Sequence, residues 1–430
     1  MDSKTVSTTQ PKTVAMVGAG ARSTVYSQIL RQRPELMVVK AVCDPDAGRR
    51  KVLGDAHGVA SEMRFASHEE LAQRPGLVDG VINSTGDAMH YSSTMTLLKA
   101  GYDMLLEKPI ALREGEVREI IDTAVRLKRT VLVCHVLRYQ AFYRKVKELL
   151  DEGAIGRLNA IYMNENVSYH HLTTTFVRNR RYGEGEVTPM LLQKCSHDMD
   201  LLAWFLAGVP AMSVASFASP SQFTPKNAPA GSVERCLNGC AVEETCAYSA
   251  RRVYVEDDTW KAYAWPVAKY GEQPTKETKL AALRGDSPFG KCVWRCAHNV
   301  VDQQSVLVQF ANGVNATFNM FCATARGYRT LHLIGTGGEI EGDFESGKII
   351  IRRIQRQSGQ PYVEEVVEVK KEAKGHSAGD IGLMLDFAAA LKGEATSKGV
   401  TRIEDSLTGH VITFAADVAL KEGRVVTVKG

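Results

Sequence analysis

A short apolar run, Val14 to Val17, leads straight into Gly18-Ala19-Gly20-Ala21-Arg22-Ser23. Glycines at that spacing, after a strand and opening a helix, leave few folds available. Gly18 permits a tight turn, Gly20 lets the backbone approach a phosphate, and the helix that follows presents its positive amino end. Such a strand–turn–helix belongs at the carboxyl edge of a parallel sheet. Ser23 stands where the strict pattern has a third glycine, so it alters helix–strand packing, caps the helix or donates to phosphate.

The rest of the first third agrees with a parallel sheet. Strand signals at 13–17, 37–43, 78–84, 103–107 and 130–134 alternate with helical patterns at 23–33, 46–57, 91–100 and 113–127. Apolar runs buried on both faces and separated by helices predict a doubly wound α/β domain. From about residue 156 the rhythm becomes strand-like and alternating, at 158–167, 305–310, 314–321, 329–334, 338–344 and 348–353. Asn312-Gly313 between two of these runs is a hairpin signal, because both residues tolerate positive φ. The second half is therefore expected to be an α/β domain with a largely antiparallel open sheet, carrying helices at 190–206 and 380–391. A helix at 403–422 and a strand at 425–429 close the chain. The expected organisation is a disordered polar lead at 1–12, a nucleotide-binding domain at 13–135, and a substrate and oligomerisation domain at 136–400. Residues 401–430 form the terminal helix and strand.

A chain of 430 residues with 44% apolar and 24% charged residues can bury two substantial cores. Its formal charge of +4 is small for this length, and no basic block alternates with aromatics, so nucleic acid is not the expected partner. No secretory leader and no run of membrane-spanning length is readable, which points to a cytoplasmic protein.

The second strand ends in Cys43-Asp44-Pro45, setting Asp44 about where a carboxylate grips a ribose hydroxyl. Gly18, Gly20, Ala21, Arg22, Ser23 and Asp44 thus form a candidate dinucleotide site. Asp44 favours NAD over NADP because a carboxylate repels a 2′-phosphate, a preference tempered by Arg49 and Arg50. Ser84 and Thr85 end another strand and face the same crevice, while Asp87 and His90 open the next helix. Glu107-Lys108-Pro109 closes the run Met104-Leu105-Leu106 and places a lysine able to exchange protons at the carboxyl end of a parallel strand.

These stretches, with Ser196-His197-Asp198 opening a later helix, resemble the Gfo/Idh/MocA oxidoreductase family over nearly the whole chain. The resemblance implies hydride transfer between a nicotinamide and a secondary hydroxyl of a sugar, sugar derivative or cyclitol. Lys108 and His197 would manage proton transfer, Glu107 and Lys108 would also line the cofactor site, and the second domain would assemble a homo-oligomer. Many members carry an acidic residue one turn before the histidine. Here that position is Gln193, followed by Lys194, which binds an anionic group, acts as a base or caps a solvated face. The departure keeps two alternatives open, a glycosidase that oxidises transiently with retained NAD and a non-catalytic sugar or nucleotide sensor.

Further polar clusters suit a polyhydroxylated ligand: Arg138 and Tyr139 after a strand, Glu165 to His171 at the end of another, Arg178, and 375–380 opening a helix. His170 and His171, read as neighbours on a strand, face opposite sides. The segment at about 219–298 is rich in Pro, Gly and charge and reads as an insertion without an independent core. Within it, Cys236, Cys240, Cys246, Cys292 and Cys296 are candidate ligands for a structural zinc, against a reading as free thiols or disulfides.

Overall fold

The computed structural model describes residues 10–179, 188–266, 269, 273–296, 298, 300–355, 359–370 and 377–428. The chain divides into two compact units, one of Met1–Tyr139 with Ala373–Asp405, the other of Gln140–Glu372 with Ser406–Gly430. The 375–376 portion of the 375–380 cluster and most of the 1–12 lead lie outside the described residues.

In the first unit six parallel strands form one sheet. They are β1 (Lys12–Val17), β2 (Met37–Cys43), β3 (Arg64–Phe65), β4 (Gly80–Asn83), β5 (Asp103–Leu106) and β6 (Val131–Val133), in the order β3-β2-β1-β4-β5-β6. That order reverses between β1 and β4, the place where a doubly wound sheet opens a crevice at its carboxyl edge. Val14, Met16, Val81, Ile82, Leu105 and Leu132 are wholly buried because helices cover both faces. One covering helix, Ser377–Lys392, comes from far along the chain. Its Leu383, Met384 and Phe387 join the core of Val39, Leu105 and Leu132. A Cβ on Gly80 would stand 2.8 Å from the Leu391 side chain, so the strand is glycine where this helix presses on it. Residues 377–400 therefore pack with the first unit, although position in the chain grouped them with 136–400.

Among the described residues the second unit carries nine strands: β7 (Leu158–Ser168), β8 (Ala211–Ser219), β9 (Gln303–Phe310), β10 (Asn315–Thr324), β11 (Tyr328–Gly335), β12 (Gly338–Asp343), β13 (Lys348–Ile354), β14 (Tyr362–Glu368) and β15 (Val426–Thr427). Their order is β14-β13-β12-β11-β7-β10-β9-β8-β15, antiparallel throughout except where β7 and β10 run parallel. Asn312-Gly313 does turn β9 into β10, with Gly313 at φ +84°. On β9, Val306, Val308 and Phe310 are buried while Leu307 is half exposed, so one face meets the core and the other does not.

Several elements lie outside the segments expected from the sequence. Strand β14 is exposed almost throughout, so it offers no apolar alternation. Strand β8 is built of small residues with weak contrast. The helix Ala141–Asp151, by contrast, buries Phe142, Tyr143, Val146 and Leu149 at helical spacing, a signal that was there to be read.

Candidate active site

The glycine turn of the first unit meets the requirements of a pyrophosphate cradle. Gly18 adopts φ +82°, and a Cβ there would lie 2.6 Å from the Ser84 carbonyl oxygen, so no side chain fits. A Cβ on Gly20 would meet nothing within 4 Å, which leaves the backbone open to a ligand. Gly20 also starts the helix Ala21–Gln32, whose amino end has no side-chain cap. These free N–H groups suit an anion. Ser23 does not supply that cap: its hydroxyl donates to the Gly18 carbonyl and pairs with the Ser84 hydroxyl, tying the turn to the end of β4. Asp44 is buried at the end of β2, where its carboxylate accepts from the N–H of Ala19 (2.6 Å) and of Asp46 (2.8 Å). The residues present therefore fit a dinucleotide, with Gly18, Gly20, Ala21 and Asp44 placed to hold it. Thr85 Oγ1 donates to Asn83 Oδ1 at 3.0 Å.

Glu107 follows β5 and is almost fully buried. Arg22 Nε donates to its Oε1 at 2.6 Å, the Tyr26 hydroxyl donates to the same oxygen, and the Lys108 N–H donates to Oε2 at 3.1 Å. Burial alone would raise this carboxyl, but Arg22 and Lys108 prevail and hold its pKa down at about 2. Arg22 also bridges to Asp380, and Arg22, too, keeps its charge: burial opposes it, while Glu107, Tyr26 and Asp380 raise its pKa. Asp380 is raised by burial against the pull of Arg22. Arg22 is thus turned into the protein by two carboxylates. Lys108, half-buried, is followed by a cis Lys108–Pro109 bond. The carbonyl of Pro109 lies 2.6 Å from His90 Nδ1, and His90 Nε2 lies 3.1 Å from the Thr85 carbonyl, so His90 braces the strand ends around Lys108. Tyr26 carried no sequence signal for this role.

In the second unit the helix Met190–Phe205 presents Lys194 and Asp198, four residues apart, to the buried face of the sheet. Glu165 lies directly opposite Arg329 in the β7–β11 pairing, so both project to that same face. The four side chains form one buried network. Lys194 Nζ is 3.0 Å from Glu165 Oε1, Arg329 Nε is 2.8 Å from Asp198 Oδ1, and Arg329 also pairs with Glu165. Burial raises the Asp198 pKa, with Arg329 opposing. A carboxylate thus faces Lys194 after all, supplied by β7 rather than by position 193. Arg329 went unnoticed because cross-strand pairing is not visible in the chain. His197 is buried on the same helix, and Cys195 is wholly buried, its thiol pushed up by desolvation, which agrees with a packing role.

Other candidates stand elsewhere. Arg138 and Tyr139 are buried in the first unit, and the Tyr139 hydroxyl donates to Asp386 at 2.9 Å. His170 and His171 are not on a strand. β7 ends at Ser168, and Tyr169–His171 turns helically into a π-helix at Leu172–Arg178. There Trp260 Nε1 donates to His170 Nδ1 at 3.2 Å, and the His171 ring lies 4.9 Å from that of Trp260. Arg178 is committed to the 219–298 segment: its Nε donates to the Lys291 carbonyl at 2.8 Å and its Nη2 to the Tyr248 carbonyl at 2.7 Å. That segment has an apolar cluster of its own, with Tyr254, Trp265, Leu283 and Phe289 buried together, contrary to the expectation from composition. Its aromatics are far apart in sequence and meet only on folding. Nor do Cys236, Cys240, Cys246, Cys292 and Cys296 close a zinc tetrahedron. Among the described residues no three His, Cys, Asp or Glu side chains come close enough to hold a single ion.

A parallel sheet reversing at β1 and β4, with an uncapped glycine turn at the switch, defines a dinucleotide-binding oxidoreductase fold. The chain belongs to the Gfo/Idh/MocA family: residues 12–135 match its NAD-binding Rossmann fold and residues 147–428 its C-terminal alpha/beta domain. The putative oxidoreductase YteT of Bacillus subtilis is 26% identical over 329 residues, 72% of each chain. An inositol 2-dehydrogenase/D-chiro-inositol 3-dehydrogenase of Lactiplantibacillus plantarum is 30% identical over 145 residues, 34% of this chain and 41% of that protein. Scyllo-inositol dehydrogenase from Lactobacillus casei, solved with NAD(H) and scyllo-inositol, shares the fold with a TM-score of 0.64 at 14% identity, covering 97% of this chain and 99% of its own. Among the described residues no helix is long and apolar enough to cross a membrane.

Proposed function

We propose that the chain is an NAD-dependent dehydrogenase that oxidises a secondary hydroxyl of a sugar, a sugar derivative or a cyclitol. The observation that carries this reading is Lys108 at the carboxyl end of β5, held by Glu107 in the same unit as the uncapped glycine turn. The substrate class is supported by relatives named for inositols and by the D-glucoside 3-dehydrogenase of Escherichia coli, 29% identical over 156 residues. NAD is favoured over NADP by Asp44, whose fixed carboxylate repels a 2′-phosphate.

Bound NAD supplies the hydride acceptor. Lys108 takes the proton of the reacting hydroxyl, and the Arg22–Glu107 pair fixes the backbone from which it reaches. His197 and Lys194 contact substrate hydroxyls. Glu165 restores the carboxylate that Gln193 lacks and orients the Lys194 ammonium. Arg138 and His171 complete the proposed substrate contacts, whereas Arg178 is withdrawn from them by its carbonyl partners.

A homo-oligomer is supported by the uncovered face of the second sheet, where Phe217, Leu307 and Phe321 are 78%, 53% and 40% exposed. All nine cysteines are free thiols, which supports a reducing, cytoplasmic setting.

The test is NADH formation by the purified chain across a panel of sugars and cyclitols. NADH equal to keto product is expected for at least one member. Lys108→Ala should lower kcat by roughly 10²–10⁴-fold with NAD affinity little changed. Binding of NAD without NADH from any member would reject the reading.

A further inference from the structure

Two residues of the 219–298 segment hold a backbone conformation that L side chains avoid. Asp258 has φ +46° and Trp260 φ +62°, both in the left-handed region. For a residue as bulky as tryptophan that conformation is a costly outlier. Strain of this kind lasts only where the surroundings enforce it, and it gathers at ligand sites. The enforcing contacts here bracket the tryptophan. The Asp258 carboxylate lies 2.6 Å from the buried Lys279 Nζ and 2.8 Å from Lys261 Nζ. Thr259 donates to the Val253 carbonyl from its N–H at 3.2 Å and from its hydroxyl at 2.9 Å. The N–H groups of Tyr263 and Ala264 donate to the Trp260 carbonyl at 2.9 and 3.0 Å.

The strained turn places one indole. Nearby Trp265 is wholly buried and donates to the Tyr254 carbonyl at 2.9 Å, as a core tryptophan does. Trp260 instead stays partly exposed. Its Nε1 donates to His170 Nδ1 at 3.2 Å, its ring lies 4.9 Å from that of His171 at 33°, and Tyr263 meets it edge-on at 5.8 Å. Burial lowers the His170 pKa, with Asp257 opposing, which keeps Nδ1 an acceptor at neutral pH. The indole is thus fixed by its N–H edge beside the turn that follows β7, the strand whose Glu165 pairs with Lys194.

We propose that Trp260 is a specificity-determining residue of the ligand site beside His171, a platform on which the C–H face of a pyranose or cyclitol ring stacks. The proposal deepens the dehydrogenase reading and rests on it for the ligand being a substrate. An aromatic face is electron-rich, and the C–H groups sharing one face of such a ring present weak positive charge to it. The hydroxyls at the ring edge remain for His171 and Lys194. An acyclic polyol has no fixed C–H face and loses rotamer freedom in adopting one. The 219–298 segment thereby takes part in choosing the substrate.

The experiment is isothermal titration of the full chain with methyl α- and β-D-glucopyranoside, myo-inositol and scyllo-inositol, with and without NADH, which allows binding but no oxidation. At least one ring is expected to bind more tightly than the acyclic D-glucitol. Trp260→Ala should weaken that binding about tenfold or more and Trp260→Phe less, with NADH affinity unchanged. Trp260→Gly should bind as weakly as Trp260→Ala yet unfold within about 3 °C of the parent, because glycine accepts the left-handed backbone. Failure of all four rings to bind the parent, D-glucitol binding equal to theirs, or equal ring affinity in Trp260→Ala would each overturn the proposal. So would a Trp260→Gly chain that unfolds well below the parent, which would make Trp260 a packing residue. Ring binding that needs Trp260 in a chain that forms no NADH rejects the dehydrogenase reading and keeps the platform. NADH formation with a KM indifferent to Trp260→Ala does the reverse.

Discussion

Glu107 carries a burden that its neighbour Lys108 hides in the sequence. Its folded pKa of about 2 lies below the ordinary glutamate value of about 4.3, so its ionisation stabilises the fold above that value. This contribution is lost as pH falls through the folded pKa, and amounts to at most roughly 3 kcal/mol. Glu107→Gln should therefore be less stable than the parent at pH 7, with the gap narrowing as pH drops from about 5 to 2. Thermal unfolding of both proteins across that range measures it. Burial of Asp380 works in the opposite direction, so its protonation offsets part of the loss. At this scale the placement of Gly18 in a tight turn, of Asp44 after β2 and of Lys108 after β5 was readable, because backbone sterics and chain spacing fix it locally. The contacts of Tyr26 with Glu107 and of Asp380 with Arg22 were not, since they form only through packing.

At the scale of elements, the helix Met190–Phe205 and strands β7 and β11 jointly determine what Lys194 is. The four charges of Glu165, Lys194, Asp198 and Arg329 cancel, and each is buried or nearly so. Removing one cation leaves two carboxylates to share the other. Arg329→Met should cost about 3–5 kcal/mol, read as a lower urea midpoint with an unchanged slope. Glu165→Gln should instead act on function: substrate KM is expected to rise several-fold while NAD affinity stays constant, as isothermal titration with NAD and steady-state kinetics would show. Ser196-His197-Asp198 reads in the chain as a helix opening, yet it lies inside the helix Met190–Phe205, and nothing in the chain announced that Glu165 on a strand would face Lys194.

For the whole molecule, the uncovered sheet face sets the expected assembly. Phe217, Leu307 and Phe321 share one face because their pairing registers, Phe217 with Ser305 and Phe321 with Gln303, keep the same parity as Leu307. Phe217→Asp with Leu307→Asp should shift the mass in sedimentation velocity to that of one chain. A parent protein that already sediments as one chain would remove this reading. The 219–298 segment shows the opposite limit, since its cluster of Tyr254, Trp265 and Phe289 comes from residues scattered along a polar, cysteine-rich stretch.

Local physics along the chain determined the two sheet types, the nucleotide turn and the lysine at the end of β5. Each depends on periodicity, φ preference or short spacing, and none needs a distant partner. Tertiary structure alone decided that Glu165 meets Lys194, that Arg22 turns inward to Glu107 and Asp380, and that four cysteines share a cavity beside Arg178. Those contacts join residues tens to hundreds of positions apart, and their chemistry arises from burial, which shifts charge states only once the chain has closed around them.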